Sequence, residues 1–377
     1  ANSLSGTITV STSAIDADGV VEVMDTIIFN VETISNATKT EDSATLFLES
    51  IENPEVVLTV SKESIAENET FNVIATLSAA ASKDVIINLN SAGDAKYNID
   101  FTSNSEIRIQ TVAGGSLDSN NNQILRNPRG SYVDNAGNLY VAEVWDGKIK
   151  KFAPGDIQGK TLISGLKQPV DVSVDANGDI YVLEHEAHKV TKFSSDGSGG
   201  VVVAGGNGNG GELNQLYSPF GFFIDTAGNI YIADTQNHRI QKWAPGASAG
   251  VTVAGGNGEG GNLNQLYHPM GVTVDPQGNV YVADQAYNRI QKWELGAIQG
   301  TTVLDGLNNP TDIFLDVNGN MYVLEANGHV VKRYSPNSST GIVVAGGQRG
   351  SNANNLNYPQ NFFVDEIGNI YVSDSEN

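Results

Sequence analysis

The chain has 377 residues, with 21 Lys and Arg against 43 Asp and Glu and a formal net charge of −22. That balance argues against a nucleic-acid partner, which needs a basic face, and it fits solubility, cation binding or an exposed life outside the cell. No cysteine is present, so disulfide and thiolate chemistry are excluded, and no apolar run reaches the length of a membrane span. Short runs of Val, Ile, Tyr and Thr alternate between Gly, Asn and Asp turns, which reads as an all-β protein.

In chain order, the first segment opens on ANSLSGTITV, without the basic and apolar stretches of a signal peptide. Residues 5–53, including IDADGVVE, resemble the second half of a Calx-beta sandwich, and 56–102, including SIAEN and NIDF, resemble the first half. The boundaries read 1–54 for the C-terminal half, 55–106 for the N-terminal half and 107–377 for the remainder of the chain. Either the chain begins inside one sandwich and opens a second, or the two halves pair with each other as a permuted sandwich. The resemblance implies calcium at loop carboxylates: Asp16, Asp18, Glu22, Glu67 and Asp100, oxygen donors of the type Ca²⁺ takes.

Residues 107–377 are repetitive. DTAGNIYIADTQNHRIQKW at 225–243 returns as DPQGNVYVADQAYNRIQKW at 275–293. Six copies are anchored on Pro128, Pro169, Pro219, Pro269, Pro310 and Pro359. Each continues with a short strand ending in Asp, a D-x-x-G turn, a second strand such as NIYIAD, a third such as RIQKW and a fourth such as VVVAGG. Four antiparallel strands per unit of roughly 40–50 residues is the pattern of a propeller blade. The separations Pro128 to Pro269, Pro169 to Pro310 and Pro219 to Pro359 agree to within one residue. Three blades duplicated would give a six-bladed ring with a pseudo-twofold axis. The last blade is incomplete after NIYVSDSEN, and TVAGG at 111–115 is expected as its outermost strand, so the chain reads as a window from a larger modular protein.

The blades resemble NHL repeats, on P-x-G (219–221, 269–271), D-x-x-G-N-x-Y-x-A-D (225–234, 275–284) and N-H-R-I-Q-K-W (237–243). The resemblance implies one face carrying an acid per blade: Glu143, Glu184, Asp234, Asp284, Glu325 and Asp374. These are either a ligand-binding ring or loop caps, as Asp is in Asx turns. Asp171 and Asp312 stand where other blades have Gly. The duplication sets them across the axis from each other, where they could share a Ca²⁺. Five histidines are scattered, with His185 and His188 in one loop, and no zinc triad converges in sequence. The glycine-rich stretches 205–211 and 255–261 lead from strand to strand rather than into a helix, so they read as linkers rather than phosphate cradles.

The expected function is a non-enzymatic binding or adhesion module of a larger cell-surface or secreted protein. A protein or glycan ligand is expected on the propeller face, neighbouring domains in a longer chain, and Ca²⁺ as the one cofactor. Calx-beta and NHL segments together resemble secreted surface proteins of the Bacteroidota, exported by the type IX route. The alternative is a propeller enzyme, a hydrolase or lyase on a glycan or peptide with a channel metal.

Overall fold

The computed structural model describes the backbone of strands between residues 3 and 100, and describes residues 111–113, 125–352, 355–365 and 368–376 in full. Two compact units divide the chain, Ala1–Arg108 and Ile109–Asn377. In the first, Ser3–Val10, Val85–Ala92 and Phe47–Leu48 form one antiparallel sheet, and Val56–Val60, Phe71–Leu77, Thr26–Ser35 and Lys96–Asp100 form another. Both sheets join strands from either side of residue 54.

The second unit is built from one turn used repeatedly. Asp225 Oδ1 accepts the N–H groups of Ala227 and Asn229 at 3.0 and 2.8 Å, and Oδ2 accepts the Asn229 amide and the Tyr231 hydroxyl. Gly228, at φ +80°, donates to the Asp225 carbonyl, a conformation that only glycine adopts without cost. Asp134 and Asp275 make the same set. Each turn thus sets the register of the first two strands, and the second strands of the first three blades, Leu139–Glu143, Ile180–Glu184 and Ile230–Asp234, are buried along their whole length.

Because both faces of each sheet are apolar, no sheet can be covered alone, and the core lies between consecutive sheets. Tyr140, Ala142 and Ile149 pack with Val172, Ile180 and Val182 of the next sheet, and Leu183 and Val190 pack with Ile230, Ile232 and Trp243 of the one after. The first strands lie innermost and neighbour one another around the axis.

The expectation of a six-bladed propeller is corrected here. Five four-stranded blades are formed, beginning at Pro128, Pro169, Phe222, Pro269 and Pro310. The sixth repeat contributes a two-stranded hairpin, Pro359–Val364 with Ile370–Asp374. That hairpin fills the gap between blades five and one: Phe363 packs on Tyr132 at 4.8 Å, and the Ser375 hydroxyl donates to the Pro128 carbonyl at 2.7 Å. Residues 111–113 are not in a strand, although Ala113 packs beside Leu139 and Tyr371; the rest of 107–115 lies outside the described residues.

Candidate functional site

The inner strands converge at one end of the axis. The residue before each anchoring proline, from Asn127 to Tyr358, takes a left-handed φ near +50°, and this bend turns the chain inward. The residue after each proline then faces the axis: Arg129, Val170, Phe220, Met270, Thr311 and Gln360. They leave a cavity volume of about 20 Å³, roughly the room for one water molecule. A substrate body does not fit inside the axis, so any ligand of size must lie across its mouth.

One step deeper stand Gly130, Asp171, Gly221, Gly271, Asp312 and Asn361. Asp171 accepts the N–H of its neighbour Val172 and, across the blade boundary, that of Phe222 at 3.1 Å. Asp312 repeats this with Ile313 and Phe362. Asn361 bonds the Ser131 N–H at 3.0 Å and so ties the hairpin to blade one. A Cβ on Gly130 would lie 2.3 Å from the Asp171 Cα, so glycine in one strand makes room for the staple of the next. Burial, and after it the charge of Asp312, hold the Asp171 carboxyl well above its usual range; burial lifts Asp312 to about 7. Both oxygens of each acid are already occupied by backbone donors, and no group of three His, Asp or Glu converges among the described residues.

The acid ring is also turned inward. Glu143, Glu184, Asp234, Asp284, Glu325 and Asp374 each accept the N–H of the residue seventeen positions earlier, which is Arg126, Lys167, Tyr217, Tyr267, Asn308 and Asn357 respectively. In blades three and four the same carboxylates hold Arg239 and Arg289 at 2.7 Å. Those arginines in turn donate to carbonyls of the glycine-rich linkers. Burial raises Glu143, Asp234 and Asp284 despite these partners. Asp16, Asp18, Glu22, Glu67 and the side chain of Asp100 lie outside the described residues.

Two residues at the mouth depart from the repeat. Arg129 is the one cation among the six axial positions. It is half-buried and meets no carboxylate among the described residues, and its Nε is buried without a hydrogen-bond partner. Its guanidinium lies 4.9 Å from the centre of the Phe220 ring. Desolvation by burial lowers its pKa, yet a guanidinium stays charged in proteins. A cation so placed favours an anion.

His185 packs on the same Phe220 ring, centroids 4.6 Å apart. Its Nδ1 lies 3.1 Å from the Pro219 carbonyl, which fixes Nδ1 as the donor and leaves Nε2 with its lone pair. At the equivalent position Thr235 and Ser375 make this bond to Pro269 and Pro128 with a hydroxyl. Val144 and Ala326 stand there in other repeats, so the fold does not require an imidazole, and His185 adds a base. Burial, and behind it the charge of Arg129, hold its pKa below the ordinary value of 6.5, with the Pro219 bond opposing. Of the remaining histidines, Nδ1 of His188, His238 and His329 each accepts a backbone N–H from the next repeat.

Two segments, 166–193 and 266–293, match the NHL repeat family model. None of the curated proteins matches the chain. Among solved structures the chain is similar to a gluconolactonase from Xanthomonas campestris, at 16% identity and TM-score 0.53, covering 67% of this chain and 84% of that one. A streptogramin B lyase aligns at 13% identity and TM-score 0.49 over 70% and 95% of the two chains, and a nidogen/laminin complex at 18%, 0.49, 58% and 81%. At such identity the likeness is one of fold.

One expectation is corrected by these findings, and another is left without support. The expectation of a non-enzymatic chain is not upheld, since the same fold is found in a gluconolactonase. The family match lies within the propeller alone, so the Calx-beta likeness of residues 1–106 is not supported. Among the described residues no helix is long and apolar enough to cross a membrane. The second unit of the chain is a β-propeller, and two of its segments match the NHL repeat.

Proposed function

We propose that the chain is a propeller enzyme that works by proton transfer on a carboxylate-bearing glycan or peptide at the axial mouth, as a lyase. Arg129, a half-buried cation with no acidic partner among the described residues, carries the reading. A carboxylate placed on it acidifies the neighbouring C–H, because the guanidinium stabilises the charge that moves onto the carboxylate oxygens as the proton leaves. Neutral His185, held through Nδ1, takes that proton on Nε2. The electron pair of the broken C–H bond forms the new C=C and expels the β-oxygen. Imidazolium or water returns a proton to that oxygen, so atoms and charge balance. No step is routed through a metal.

The test is the appearance of unsaturated product from uronate-containing oligosaccharides and β-substituted acidic peptides. Arg129→Gln copies the residue at the equivalent position of the hairpin, Gln360, and so spares the fold. It is expected to lower kcat/KM by roughly 10²–10³-fold. Product formation by Arg129→Gln at the wild-type rate would dismiss the reading.

A further inference from the structure

Beside the axial mouth, on the rim of blades one and two, lies an open groove of about 350 Å³. Its floor is Val144 and Leu166, and its wall is Trp145, whose side chain is 67% exposed. Polar groups stand around the ring. Gln168 donates to Glu186 at 2.6 Å, Asp146 pairs with Arg126 and Lys148 at 3.0 and 3.2 Å, and the Lys167 side chain is exposed.

The repeat serves as an internal control for Trp145. The equivalent positions hold Glu186, Gln236, Ala286, Asn327 and Glu376. Small and polar residues satisfy the fold in every other unit, so an indole at this place is not a packing requirement. An exposed Trp costs apolar hydration that a buried one avoids. The other two tryptophans, Trp243 and Trp293, are 1% exposed and belong to the cores between blades.

We infer that this groove is a saccharide-binding subsite that takes a pyranose unit on the face of Trp145. The flat C–H face of a pyranose presents positive hydrogens to the negative face of an aromatic ring. Its rim hydroxyls both donate and accept, as a ring bordered by Asp146, Gln168, Glu186 and Lys167 requires. A peptide would need apolar pockets for its side chains, and the groove offers one flat wall among polar groups. The volume lies within the range of small-ligand sites, while the axis does not. Glu186 adjoins His185 in the chain, so an oligosaccharide seated here extends toward the axial mouth. The subsite does not depend on the lyase reading.

Quenching of tryptophan fluorescence by acrylamide tests it, because Trp145 is the one exposed tryptophan of the three. Hexasaccharides of glucose, mannose, xylose and galacturonate units are titrated into the full chain. At least one is expected to shield Trp145 from the quencher. Trp145→Gln, which copies Gln236, is expected to weaken binding of that saccharide by at least about tenfold, measured by calorimetry. Shielding that survives in a protein with no lyase activity keeps the subsite and removes the lyase. No shielding by any of the four saccharides, or equal binding by Trp145→Gln, overturns the subsite.

Discussion

Arg239 shows how a single side chain can hold a blade to its linker. Its Nε pairs with the buried Asp234 at 2.7 Å, and its other nitrogens donate to the carbonyls of Gly211, Glu212 and Gln215. Replacing it with Met keeps much of the volume but leaves a buried carboxylate uncompensated, which costs about 3–5 kcal/mol. Urea unfolding should therefore show a lower midpoint for Arg239→Met, and a smaller loss for Arg239→Lys, since Lys189 and Lys332 serve Glu184 and Glu325 in other blades. Asp312 acts in the opposite sense. Its carboxyl is raised from 3.8 to about 7 by burial, so the folded state holds a proton that the unfolded chain has lost. Its contribution is fully present below pH 3.8 and is lost as pH rises through about 7. Asp312→Asn should flatten that descent in melting temperature between pH 4 and 8. Asn is tolerated in this ring, as Asn361 demonstrates. An unchanged slope would show that Asp312 is ionised throughout.

At the scale of elements, the strand that ends each blade is held by a glycine under an aromatic ring. A Cβ on Gly250 would come within 2.9 Å of the Trp243 indole, and one on Gly300 would meet Trp293 equally closely. Gly250→Ala should cost about 1–3 kcal/mol through overpacking, read as a loss in unfolding free energy with a shift in tryptophan emission. Such elements were largely legible in the sequence. Proline anchors, turn glycines and the alternating strands each depend on neighbours a few residues away, and the local pattern carries them. The acid ring was less so. Its members were placed on the rim by position, but Asp234 spends its carboxylate on the Tyr217 N–H, a contact across a loop that no local pattern records. Arg129 was missed altogether, because RGSYV after a proline reads as any other inner strand. Only setting the six repeats side by side shows a cation where Val170, Phe220, Met270, Thr311 and Gln360 stand. His185 was noticed as one of a loop pair, but its Nδ1 partner, Pro219, comes from the following repeat.

Across the second unit, the repeated element accounts for the fold and frames the candidate site. Five blades and a hairpin share one set of turns, staples and caps, and each departure from that set is either a joint or a candidate for chemistry. Asn361 and Ser375 are joints: they tie the hairpin to blade one through Ser131 and Pro128. Ser375→Ala should cost about 1 kcal/mol of unfolding free energy, read by urea unfolding. Arg129, His185 and Trp145 serve no joint that the other repeats lack, and they gather on one rim. The duplication seen in the sequence gives matched staples at Asp171 and Asp312, but the candidate site at the mouth is built from one side only. Symmetry thus accounts for the scaffold, and its breaking accounts for the site.

The central claim is that His185 at the axial mouth removes a proton from a carboxylate-bearing substrate. It is tested most directly by comparing His185→Thr with wild type on a uronate oligosaccharide deuterated at the α-carbon, reading release of that deuterium to water and unsaturated product together across pH. Thr keeps the bond to the proline carbonyl, as Thr235 does at 2.8 Å, so the melting temperature should hold. Wild-type kcat/KM should rise with pH through a pKa below 6.5, the direction in which burial moves His185, and level above it as the imidazole becomes neutral. The variant should lose roughly 10²–10⁴-fold in both readouts and lose that pH step. Deuterium release and product formed by His185→Thr at wild-type rates, or neither from the wild-type protein, would contradict the account.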